Sequence, residues 1–197
     1  VRLLVMKSSC VSPWYKKPIK YTFIKSYLST ELSKIFMQFP WMEIIPSINR
    51  LMAQFQTVVA TQDWHPDDHS SFASWPKHCV QYTRGAELSS AIDLKRIEFI
   101  ARKGIRAEAD SYSGFCDDAG NQTGLESYLR YKQITELFVT GVATDFCVKA
   151  TVLDALKLGF KVNVCSDGIA AVNLHPGDGQ QALDEMESRG AVILRPV

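Results

Sequence analysis

With 197 residues, 46% of them hydrophobic, the chain can bury one sizeable core but is too short for two comfortable domains. No apolar run approaches the length that crosses a bilayer, and a formal net charge of +1 gives no ground for a nucleic-acid or membrane partner. The charge is unevenly spread: residues 1–42 hold seven Lys and Arg against one acid, Glu31, whereas residues 43–197 hold fifteen basic and twenty acidic side chains. The expected organisation is therefore an atypical basic segment, 1–42, joined to a domain of different character, 43–197.

Five cysteines (Cys10, Cys79, Cys116, Cys147, Cys165) are an odd number with no paired spacing. They suggest free thiols in a reducing, cytoplasmic setting, with all but Cys147 inert. In chain order, Arg2–Met6 reads as a short strand. Ile24 to Phe39 has helical spacing and stops at Pro40. Pro46 suits the first turn of a helix whose inner face is Ile48, Leu51, Met52 and Phe55. A regular rhythm follows: strands at Thr57–Thr61, Ile97–Ala101, Glu136–Thr140, Lys161–Cys165 and Ala191–Leu194. Helices fall at Leu125–Tyr131, at Thr144–Leu158 closed by Gly159, and at Asp178–Arg189 closed by Gly190. Alternating strands and helices predict an α/β three-layer sandwich, a mostly parallel sheet with helices on both faces. Ligands in such folds gather at the carboxyl ends of strands.

The strand ends carry the chemistry. Leu137, Phe138 and Val139 lead through Gly141 to a helix whose first turn holds Cys147, where backbone N–H groups and the helix dipole favour a thiolate and an oxyanion. After Thr61 comes Gln62-Asp63-Trp64-His65, with His69 and His78 following. Asp63 and His65, two apart on an extended segment, point to one side, and imidazole with carboxylate suits a divalent cation such as Zn²⁺ or Fe²⁺. After Ala101 comes Lys103, whose charge would hold a thiolate if both entered one crevice. Asp110-Ser-Tyr112-Ser-Gly-Phe115 then brings rings on which a flat substrate can stack.

Taken together, Gln62-Asp-Trp-His-Pro66, His69-Ser-Ser-Phe-Ala73, Trp75-Pro-Lys-His-Cys-Val80, Lys103-Gly104, Asp110-Ser-Tyr-Ser-Gly-Phe115 and Gly141-Val-Ala-Thr-Asp-Phe-Cys147-Val resemble nicotinamidases of the isochorismatase-like cysteine hydrolase family. The resemblance covers about residues 43–197. It implies the isochorismatase-like hydrolase fold and hydrolysis of nicotinamide to nicotinate and ammonia in NAD salvage, through a thioester on Cys147. By the same resemblance, Lys103 is the charged neighbour of Cys147, and the N–H groups of Ala143 and Cys147 form the oxyanion hole beside a cis Val142–Ala143 bond. Asp63, His65 and His78 hold one divalent metal, with His69 as a further candidate ligand; zinc comes first, with iron or manganese as alternatives. Trp75 and Tyr112 flank the ring.

Two departures stand beside the resemblance. The family opens on an apolar strand ending in Asp-x-Gln-x-Asp-Phe, whose first Asp is the general acid and base. Here Leu3-Leu4-Val5 is followed by Met6-Lys7, and residues 1–42 contain no such motif. The link between Ala73 and Trp75 is also short for the family, which is expected to strain the approach of His78 to Asp63 and His65. A catalytically silent relative that binds nicotinamide-like rings is therefore the alternative.

Overall fold

Six parallel strands make one sheet in the computed structural model, which describes residues 2–7 and 41–195. They are β1 (Arg2–Lys7), β2 (Thr57–Asp63), β3 (Phe99–Lys103), β4 (Glu136–Val142), β5 (Lys161–Ala170) and β6 (Val192–Leu194). Their order is β3-β2-β1-β4-β5-β6. β2 is buried along its whole length, which suits its run of β-branched and small residues, because a parallel strand covered on both faces has no polar side to show water.

Alternation along the strands divides the core into two layers. Val59, Leu137 and Val139 face a large cluster with Leu125 and Leu129 of α2 (Leu125–Tyr131), Val152 and Ala155 of α3 (Lys149–Lys157) and Met186 of α4 (Asp178–Ser188). Val58 and Phe138 face the other way, onto Ile45, Ile48 and Met52 of α1 (Trp41–Met52). Helices thus cover both faces, as the alternating pattern predicts. None among the described residues is long and apolar enough to cross a membrane.

Several boundaries differ from expectation. α1 starts at Trp41, so Pro46 lies inside the helix and not in its first turn. Ile45 belongs to the same buried stripe as Ile48 and Met52, and this packing carries the helix back through the proline. The carbonyl that loses its donor is that of Met42, a residue 45% exposed and so open to water. The expected helix Thr144–Leu158 divides into a π-helical turn, Thr144–Val148, and α3. β5 runs on to Ala170 across a register shift opposite Val139 and Gly141. Cys116, Cys147 and Cys165 carry free thiols, but Cys79 is disulfide-bonded, which corrects the expectation that every thiol is free. Wide spacing along the chain says nothing of distance in space. The expected helix at Ile24–Phe39 lies outside the described residues.

Candidate active site

The strand order reverses between β1 and β4, and in a parallel sheet this opens a crevice at the carboxyl ends of the strands. Three elements deliver side chains to it. Asp63 and Lys103 are paired in the β2–β3 register, at the last positions of their strands. Cys147 follows β4 in the π-helical turn, where the N–H groups of Phe146 and Val148 both close on the carbonyl of Ala143, at 3.2 and 3.0 Å. The Val142–Ala143 peptide is cis.

Lys103 is the centre of the site. Its side chain is 1% exposed, and its ammonium meets Asp63 Oδ1 at 2.5 Å, the Ser111 carbonyl and Cys147 Sγ at 3.8 Å. A buried ammonium is tolerated only when opposite charge and acceptors surround it, and here the carboxylate, the carbonyl and the sulfur provide them. The expected meeting of Lys103 and Cys147 is thus present. The contribution of Ser111 was not anticipated, since a backbone carbonyl leaves no trace in residue type.

The imidazoles fall into two kinds. His65, 2% exposed, donates from Nδ1 to the Gly104 carbonyl at 2.9 Å, and His78 donates from Nδ1 to the Pro76 carbonyl at 2.7 Å. A carbonyl only accepts, so both rings carry a proton on Nδ1. Burial, opposed by the charge of Asp63, brings the His65 pKa down to about 4, so the ring is neutral across the physiological range. His69 has the opposite tautomer: its Nδ1 accepts from the Ser71 N–H at 3.2 Å, while its Nε2 donates to the Ala109 carbonyl at 3.2 Å. The rings of His69 and His78 lie 4.1 and 4.9 Å from that of His65, so the short Ala73–Trp75 link does not keep His78 away.

Among the described residues no three His, Cys, Asp or Glu side chains close on one point tightly enough to hold a metal ion. The Asp63 carboxylate pairs with Lys103, and both ring nitrogens of His69 are engaged. The donor chemistry nevertheless fits a divalent ion. Two imidazoles, each oriented by an Nδ1–H bond to a carbonyl, stand beside a carboxylate, an arrangement typical of ligating histidines.

Trp75 and Tyr112 meet directly, the indole N–H donating to the phenol oxygen at 2.9 Å. Burial pushes the Tyr112 phenol up, so it stays a neutral O–H. A third ring joins them: Phe146 packs edge-on to Trp75 at 4.9 Å and lies 5.8 Å from Tyr112. The sequence reading missed Phe146, although its place next to Cys147 could have pointed to it.

The sequence and the fold both have counterparts among known proteins. A family model for the isochorismatase domain matches residues 38–195. The chain is 44% identical to the nicotinamidase of Escherichia coli (strain K12) over 158 residues, covering 70% of this chain and 74% of that protein. PnC1 from L. infantum, solved in complex with nicotinate, superposes with a TM-score of 0.81 at 33% identity, over 98% of this chain and 92% of that one. The pyrazinamidase of Pyrococcus horikoshii, solved in complex with zinc, gives 0.77 at 32% identity over 99% of each chain.

Proposed function

The chain belongs to the isochorismatase family, and from that premise we propose that it is a nicotinamidase, hydrolysing nicotinamide to nicotinate and ammonia in NAD salvage. One observation carries this reading: a buried ammonium reaches Cys147 Sγ at a strand-end crevice walled by three aromatic rings. The sulfur of Cys147, beside the Lys103 ammonium, gives up its proton as it attacks the carboxamide carbon. The N–H groups of Ala143 and Cys147 receive the charge that develops on the amide oxygen. The carbon–nitrogen bond breaks, and the nitrogen takes up the proton that the Cys147 thiol gave up and leaves as ammonia. Water then adds to the thioester, the carbon–sulfur bond breaks, and nicotinate departs.

Trp75, Tyr112 and Phe146 hold the pyridine ring so that its carboxamide meets the sulfur. Asp63, His65 and His78 would hold one divalent ion, zinc before iron or manganese, with His69 able to join by giving up the Ala109 carbonyl. When bound, such an ion supplies a Lewis-acid anchor for the ring nitrogen.

The second reading, a catalytically silent relative that binds nicotinamide-like rings, is favoured by one observation: residues 1–42 lack the Asp-x-Gln-x-Asp-Phe run, and β1 ends on Met6 and Lys7. Ammonia release from nicotinamide by the purified chain, beside Cys147→Ala and with nicotinate binding followed by calorimetry, separates the two. Cys147-dependent ammonia supports the hydrolase. Binding without ammonia supports the silent relative, and neither signal would sink both.

A further inference from the structure

Asp145 has no part in the chemistry above, yet it sits two residues before the nucleophile and is only 8% exposed. Among the described ion pairs none involves it. Its carboxylate is spanned instead by two backbone donors from the segment after β5: the Val172 N–H reaches Oδ1 at 2.9 Å and the Asn173 N–H reaches Oδ2 at 2.7 Å. Charge-assisted bonds of this kind are about twice as strong as neutral ones, and two of them fix both position and direction.

The receiving segment is itself held. Asn173 has a φ of 52°, and its Oδ1 accepts from the Gly179 N–H at 2.8 Å, in the first turn of α4. Gly179 approaches so closely that a Cβ there would fall 2.5 Å from the Ala171 Cβ. The chain of contacts therefore runs from the π-helical turn through Asp145, Asn173 and Gly179 to the start of α4. It ties the turn that carries Cys147 to a helix on which the turn also packs.

We infer that Asp145 is a positioning residue for Cys147: its doubly bonded carboxylate locks the π-helical turn onto the 171–179 segment and so sets Sγ against Lys103. The π-helical turn needs such a lock. Its Phe146 and Val148 N–H groups share one carbonyl acceptor, and a π-helical turn is a rare departure from the α-helix, so a tie from outside the turn helps to hold it. The two N–H groups stabilise the Asp145 carboxylate as a charged acceptor and hold it where it stands.

The inference rests on the proposed role of Cys147, so its test includes a measurement that needs no turnover. Asp145→Asn, Asp145→Ala and Asn173→Ala are compared with the unaltered chain by iodoacetamide labelling of Cys147 and Cys116 at neutral pH, and by nicotinamide hydrolysis. Displacing a reacting group by about 1 Å costs on the order of 100-fold in rate. We expect labelling of Cys147 to slow by roughly 10-fold or more with Cys116 unchanged, kcat to fall about 10- to 100-fold, and KM to move less than about threefold. Asp145→Asn, which keeps one acceptor, should stand between the unaltered chain and Asp145→Ala. Unchanged Cys147 labelling and kcat in folded variants would overturn the inference. So would faster labelling of both thiols together, the sign of a merely loosened fold. If Asp145→Ala does not fold, Asp145→Asn and Asn173→Ala decide. If the unaltered chain makes no nicotinate, the labelling comparison still judges Asp145.

Discussion

Cys147 and Cys165 are 8% and 2% exposed, and the difference between them lies in their neighbours. Burial pushes the Cys165 thiol up from its ordinary value near 9 to about 11, with the charge of Asp167 acting in the same direction, and Cys116 is likewise pushed up by burial. Cys147 alone of the three receives an ammonium, at 3.8 Å. Iodoacetamide at neutral pH should therefore modify Cys147 first among the free thiols, as peptide mass mapping would reveal; equal labelling of Cys116 would mean that no activated thiolate exists. Cys165 gives a second expectation, on stability. Above pH 9 the unfolded chain gives up this proton while the folded chain keeps it to about 11, so the unfolded state binds fewer protons and stability falls as pH rises through that window. The whole effect is on the order of 2–3 kcal/mol. Denaturant unfolding at pH 8 and pH 10.5 should show a larger loss for the unaltered chain than for Cys165→Ala, which begins lower but declines less.

The turn after β3 shows how an element fixes a site. Gly104 has a φ of 60°, and a Cβ on it would fall 2.4 Å from His65 Cε1 and 3.4 Å from His69 Nε2. Gly104→Ala should cost about 1–2 kcal/mol for the left-handed backbone alone, and more once His65 is pushed off the Gly104 carbonyl. A lower Tm together with weaker zinc uptake by the purified chain is the expected outcome, and unchanged zinc uptake would detach His65 from ion binding. Gly104, His65 and Lys103 were all legible as types in the sequence, because strand-end positions in a parallel sheet are where polar residues interrupt apolar runs. Asp63 was legible too, but only as a metal ligand; its contact with Lys103 depends on the β2–β3 register, which is set by pairing between segments far apart in the chain. The π-helical turn was hidden for a related reason. Val148, Val152 and Ala155 keep helical spacing whether or not the first turn widens, and the widening shows only in the Val148 N–H reaching back to the carbonyl of Ala143.

For the molecule as a whole, the decisive element is β1, which lies between β2 and β4 and so brings residues 2–7 to the middle of the sheet. The resemblance implies an aspartate at its carboxyl end that moves a proton in both thioester formation and hydrolysis, and this chain has Met6 and Lys7 there. General acid–base help is typically worth about 10²- to 10⁴-fold, or roughly 3–5 kcal/mol of barrier, so turnover should be slow by that factor while ring binding suffers much less. The register says where the missing group belongs. Met6 pairs with Ala60 and Thr140, but Lys7 pairs with Thr61 and Gly141, and Thr61 lies two residues before Asp63, on the same side of β2. Apolar spacing after Leu3-Leu4-Val5 favours Met6→Asp; the observed pairing favours Lys7→Asp, whose position shares the sheet face of Thr61 and Asp63. Lys7→Asp should therefore raise kcat for nicotinamide by about 10-fold or more, with KM nearly unchanged, and Met6→Asp should not. A rise with Met6→Asp instead would shift the working register of β1 by one residue. Full activity in the unaltered chain would show that another acid already moves the proton.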